Sequence, residues 1–175
     1  MLQYADAWLD EKPYKEVYDG RIHPKVSPQR KHALVQGAVI ALLLEWGRDR
    51  GDSGTEWRVY LDENTSLVPD VSFISDGRLA ALSEAQREKP PFAPEFVVEI
   101  RSPENRKRAI ARKTALYLQH GAIAVLDVDP ARRLVCVTTQ DGESTLQPGD
   151  AFAHPAFPGL VLPVNAIFAP LDRRR

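Results

Sequence analysis

With 175 residues, 43% of them hydrophobic and 27% charged, the chain has the size and composition of one folded domain, spanning 1–175, and not of a disordered segment. Its formal net charge of −1 provides no overall basic surface, so any nucleic-acid binding must rest on a local patch. A single cysteine, Cys136, excludes an internal disulfide, and four scattered histidines beside it show no zinc-ligand spacing.

The opening MLQYADAWLDEKPYKEV has no basic start leading into an apolar stretch, so no signal peptide is expected and a cytoplasmic location follows. Residues 14–25, YKEVYDGRIHPK, read as a hairpin around the tight-turn pair Asp19-Gly20. A long helix is expected over 27–51. Ser27 suits its N-cap, Pro28 its first position and Gly51 its end, and Leu34, Ala38, Ala41, Leu42 and Glu45 follow helical spacing. Its most apolar part, 33–46, carries Gln36 and Glu45 and is too short to span a bilayer.

Three extended segments follow: EWRVYL (56–61), LVPDVSFI (67–74) and EFVVEIR (95–101). A loop with room for a short helix separates the last two. Residues 102–121 repeat the helix grammar, with Ser102 as N-cap, Pro103 next and Gly121 at the stop. Strands are then expected at 122–129, 133–139 and 143–147, and a short strand with a terminal helical turn at 157–168. The order predicts an α/β (α+β) architecture: one mixed central sheet flanked by helices, with an N-terminal hairpin and a β-rich C-terminal tail. Cys136 falls in the apolar run RLVCVTT and reads as a small core residue.

Two acids stand inside strands. Asp70 follows Pro69, which interrupts a ladder, and Glu99 lies in the apolar VVEIR. If the two strands are neighbours, the carboxylates converge and repel unless a cation joins them, and a hard ion such as Mg2+ suits oxygen ligands. The alternative is two unrelated salt bridges. In that case Arg101, on the same strand face as Glu99 by the period of two, is its partner. On the following helix, Arg106, Ile110, Lys113 and Tyr117 share one face, which sets Lys113 between two core-directed residues. It either snorkels to water or aims its ammonium at the carboxylates. Two acids and a lysine are the constellation of metal-dependent phosphodiester hydrolysis. Arg106, Lys107, Arg108, Arg112 and Lys113 also form a basic run that could position phosphates. His32, near a helix start, is a possible accessory residue.

The chain resembles the PD-(D/E)XK nuclease superfamily through Pro69-Asp70 and Glu99-Ile100-Arg101. More narrowly it resembles the Uma-two family of "putative restriction endonucleases". The resemblance runs through YKEVYDGRI, the Ser-Pro-started helix with His32, LVPDVSFI, PEFVVEIRSPENR, RKTALYLQHGA, LDVDP and FPGLVLPVNAIF. It implies a restriction-endonuclease-like fold and a Mg2+-dependent DNA endonuclease, with Mn2+ as a substitute ion. Asp70 and Glu99 are implied as metal ligands. The pattern Lys113, Tyr117, Gly121 implies Lys113 as the catalytic cation, and Arg101 stands at the superfamily's own lysine position. A homodimer is the matching expectation, because cutting both strands uses two sites. The other reading is a catalytically degenerate nucleic-acid-binding or interaction module on the same fold.

Overall fold

Asp19 (φ 51°) and Gly20 (φ 67°) both take left-handed backbone, the two-residue turn whose twist matches that of paired strands. They join β1 (Lys15–Tyr18) to β2 (Arg21–Pro24), with Glu16 opposite His23. The expected hairpin is therefore present. The computed structural model describes residues 6–25, 27–102 and 107–172. Pro103, Arg106 and the RRR tail lie outside the described residues.

Helix α1 (Arg30–Gly47) starts later than its sequence signals suggest. Ser27 and Pro28 precede it, and its N-cap is Gln29, in extended backbone and without a side-chain cap. Its buried apolar stripe is Val35, Val39 and Leu43, not the expected set. Ala41 and Glu45 face out. The larger branched side chains at a spacing of four take the sheet-facing position, which shifts the stripe by one residue. Gly51 does not end the helix but opens β3 (Gly51–Thr55), at the edge of a sheet. A Cβ at Gly51 would stand 2.1 Å from the Ile74 carbonyl oxygen, so only glycine lets the two strands pair this closely.

Strands β4 (Val59–Asp62), β5 (Thr65–Leu67) and β6 (Val71–Ser75) follow. LVPDVSFI is thus not one strand. Pro69 has no N–H for a ladder, and at Val68–Asp70 the chain leaves one sheet and enters another. Two short helices, α2 (Asp76–Leu79) and α3 (Glu84–Glu88), lead to β7 (Phe96–Ile100). Helix α4 (Lys107–Gln119) ends at Gly121 (φ 101°), where the Ala122 N–H closes on the Tyr117 carbonyl at 3.0 Å. Then come β8 (Ala124–Asp129), β9 (Leu134–Thr139), β10 (Gly142–Leu146), β11 (Ala151–Phe152), β12 (Leu162–Pro163) and α5 (Val164–Phe168).

The expected single sheet is instead a six-stranded central sheet, β10-β9-β8-β7-β6-β3, accompanied by a four-stranded sheet, β2-β1-β5-β4, and the β11–β12 pair. Within the central sheet β7 and β8 run parallel, with α4 as their crossover, and the other pairs are antiparallel. The alternation of β7 sorts its side chains between two cores. Val98 and Ile100 pack with α1, α5 and Phe157 on one face. Val97 packs on the other with Leu116 and Tyr117 of α4 and with Val59 and Leu67 of the smaller sheet. Glu99 shares the face of Val97, so it points into the seam where α4, the hairpin and the central sheet meet. The mixed sheet flanked by helices expected from the sequence is the architecture found.

Candidate active site

Strands β6 and β7 are antiparallel neighbours with Val71 opposite Val98. Extending that register by one residue sets Asp70 opposite Glu99. The Asp70 side chain confirms the closeness, because its Oδ2 accepts the backbone N–H of Ile100 at 2.6 Å. Asp70 and Glu99 are respectively 2% and 3% exposed.

Each carboxylate has a cation. Lys25 Nζ, from just beyond β2, stands 2.7 Å from Asp70 Oδ1 and donates to the Val68 carbonyl at 2.6 Å. His32 Nε2, from the first turn of α1, is 3.0 Å from Asp70 Oδ2. Lys113 Nζ lies 2.7 Å from Glu99 Oε1 and 2.9 Å from Glu16 Oε1 of β1. Tyr117, one turn further along α4, donates its hydroxyl to the same Glu99 oxygen at 2.8 Å. Glu16 Oε1 also accepts the Val68 N–H at 2.8 Å. The hairpin therefore grips Val68 on both sides, Glu16 on its N–H and Lys25 on its carbonyl. The inward face expected for α4 is real: Ile110, Lys113 and Tyr117 are all buried.

Three carboxylates, Glu16, Asp70 and Glu99, thus face two ammonium groups, Lys25 and Lys113. Burial pushes Glu99 up to about 7; Lys113 opposes the shift, and the charges of Asp70 and Glu16 add to it. Burial works in the same sense on Asp70, but Lys25 and then His32 hold that carboxyl well below the usual range. Lys113 goes up despite its burial because Glu16 and Glu99 hold its proton. The surplus of negative charge, on oxygen donors alone, is the environment a hard divalent cation relieves. Among the described residues no set of three His, Cys, Asp or Glu side chains already converges as metal ligands. Lys113 stands between Glu16 and Glu99, and Lys25 stands against Asp70.

The other residues singled out in the sequence lie elsewhere. Arg101 does not reach Glu99. It shares that strand face but turns toward β8, with Nε 2.8 Å from Asp127 Oδ1 and Nη1 3.3 Å from Asp129 Oδ2. The parallel pairing of Glu99 with Asp127 supplies these acids, which a reading of one strand could not foresee. Arg112 forms an exposed ion pair with Asp19 of the hairpin turn, its Nε at 2.9 Å. Arg108 is exposed. Lys107 opens α4, and Arg106 falls outside the described residues. Cys136 is half-buried, not core, and lines a cleft of about 330 Å³ with Arg101, Asp127 and Glu143.

The model of the Uma2 family, "Putative restriction endonuclease", matches residues 2–165. The chain belongs to this family. A solved structure of "a putative nuclease belonging to DUF820" from Anabaena variabilis ATCC 29413 shares the fold. It has a TM-score of 0.83 at 24% identity, covering 91% of this chain and 92% of that one. No curated protein matches. No described helix is long and apolar enough to cross a membrane.

In this Uma2 chain the sequence reading did not single out Glu16 or Lys25. Both sit in a hairpin whose charged residues look solvated, and only the covering of β1 by α4 and β5 buries Glu16. A carboxylate between Lys15 and Val17, on the inward side of a strand with Tyr18 nearby, is a weak signal of this kind. Tyr117 was noted for its spacing and gains a role through its bond to Glu99.

Proposed function

We propose that this protein is a divalent-metal-dependent DNA endonuclease with Asp70, Glu99 and Lys113 at its working centre. The observation that carries this reading is the buried pair of carboxylates on adjacent strands with the Lys113 ammonium on Glu99. Membership of a restriction-endonuclease family supports DNA as the substrate.

Asp70 and Glu99 would hold Mg2+, or Mn2+ in its place, with Glu16 near enough through Lys113 to contribute charge. When bound, the ion would polarise the scissile phosphate and lower the pKa of its water. The protein's own groups do the positioning. The Ile100 N–H and His32 fix the rotamer of Asp70, and Tyr117 fixes Glu99. Lys113, buried and protonated, presents a fixed positive charge to the developing charge on the phosphate. Arg108, Arg112 and the basic residues before them supply salt-sensitive, sequence-independent attraction to the backbone. Cutting both strands calls for two such centres, hence a homodimer.

The test is plasmid nicking by purified protein with Mg2+ or Mn2+. Glu99→Ala and Asp70→Ala should abolish metal-dependent cleavage, and undiminished nicking by Glu99→Ala would overturn the reading. A second reading, a nucleic-acid-binding module that does not cut, is favoured by one observation: both acids already have ammonium partners. It requires DNA binding that persists in EDTA and no Mn2+ heat in a calorimetric titration.

A further inference from the structure

The two oxygens of Asp70 are held differently. Oδ2 accepts the Ile100 N–H at 2.6 Å and faces His32 Nε2 at 3.0 Å, so it is fixed by the backbone of β7 and the start of α1. Oδ1 has no aligned hydrogen-bond donor among the described residues; what stands beside it is Lys25 Nζ at 2.7 Å. That contact is a charge contact, whereas the same ammonium makes an aligned hydrogen bond to the Val68 carbonyl. Lys25 comes from the end of the hairpin, and its side chain is 13% exposed against 2% for Asp70. The anchored oxygen therefore faces the protein, and the other is covered by the ammonium of Lys25, whose side chain is less deeply buried than the acid.

We propose that Lys25 is the resident counter-ion of the metal-ligand oxygen Asp70 Oδ1, which a divalent cation displaces, and that the freed ammonium then takes a DNA phosphate. Lys25 is thus a positioning residue that couples metal loading to nucleic-acid affinity. The inference rests on the reading of Asp70 as a cation ligand. The physical basis is exchange of one cation for another on the same carboxylate. A divalent ion must remove Lys25 from Oδ1, so removing the lysine's charge lowers the barrier to binding and makes the pocket more negative. Linkage is reciprocal: if metal frees Lys25 for phosphate, DNA must in turn tighten the metal by the same factor.

The test uses the full chain with Ca2+ as a cation for binding without turnover, measured by calorimetry. Lys25→Met, which keeps the stem and removes the charge, should bind Ca2+ at least about tenfold more tightly than wild type, the factor expected from one lost charge–charge contact near a surface. Lys25→Arg should not. Equal or weaker binding by Lys25→Met overturns the proposal, and a merely structural loss would weaken binding too. In fluorescence anisotropy with a labelled duplex, Ca2+ should tighten wild-type binding relative to EDTA, and that Ca2+ increment should be smaller in Lys25→Met than in wild type. A Ca2+ increment undiminished in Lys25→Met also overturns it. Should Lys25→Met not fold, acetylation footprinting of wild-type protein decides. Saturating Ca2+ should raise the labelling rate of Lys25, and an unchanged rate refutes the displacement. If wild type binds no Ca2+ or Mn2+ at all, the metal reading under Proposed function falls. If it binds metal through Asp70 and Glu99 while Lys25→Met binds no tighter, only the lysine exchange falls.

Discussion

Asp70 reaches across the β6–β7 pair to accept the backbone N–H of Ile100 at 2.6 Å, which locks the acid that follows Pro69 against the residue that follows Glu99. Asp70 is therefore anchored to the backbone of the neighbouring strand, whatever its side-chain partners do. That rigidity makes the site's chemistry testable by substitution.

Asp70→Ala leaves Lys25 without its acid and the Ile100 N–H without its acceptor. Breaking a buried pair from one side costs about 3 kcal/mol here, the low end of the range because Lys25 can reach water. Against a typical domain stability of about 5–15 kcal/mol the protein stays folded. Urea unfolding should show this loss, and Asp70→Ala/Lys25→Met should recover part of it.

Lys113→Met separates the two candidate cations. It should lower the nicking rate by about 10²–10³, the scale of a lost preorganised electrostatic contact. Arg101→Met should leave nicking near wild type, because its guanidinium serves Asp127 and Asp129. Rates measured on supercoiled plasmid in Mg2+ check the ranking, and the reverse order would place Arg101 at the reacting phosphate.

Cys136 should react slowly. Burial, and then Glu143, push its thiol up to about 11. A raised thiol pKa keeps the proton on sulfur, so less thiolate is present at any given pH below it. Alkylation by iodoacetamide at pH 8 should be about a hundredfold slower than that of an unperturbed thiol and should rise about tenfold per pH unit up to that pKa. Mass spectrometry of the labelled protein reads both values.

Gly51→Ala should destabilise the protein by about 2–3 kcal/mol, because the new methyl group meets the Ile74 carbonyl and β3 must peel from β6. Gly37→Ala, at a helix position with open space around it, should be neutral or mildly stabilising. Thermal unfolding of the pair gives the contrast.

The hairpin, both long helices and the strands of residues 95–139 were legible because their signals are local: Asp-Gly at a turn, apolar periodicity, Gly121 at a helix end. So was the adjacency of Asp70 and Glu99, since neighbouring strands were the only assumption it needed. The start of α1 was misread because Ser27-Pro28 satisfies capping grammar, yet the helix begins only at Arg30. The division of LVPDVSFI between two sheets was half-visible at Pro69, but which sheets it joined depended on β1, some 50 residues earlier. Glu16 and Lys25 stayed hidden for the same reason. Their charges look like those of an exposed ribbon until α4 and the Val68–Asp70 crossing close over them. The pairing of Arg101 with Asp127 and Asp129 in place of Glu99 was hidden because those acids sit on β8, which it meets only through parallel pairing.

The cluster draws on residues 16, 25, 32, 70, 99, 113 and 117, so the hairpin, both long helices and the central sheet each lend it at least one atom. A ribosome making this chain releases Asp70 well before Glu99, and Glu99 before Lys113. No nascent fragment ending short of α4 holds the acids and their lysine together. Whatever chemistry the centre performs is withheld until synthesis has passed Tyr117.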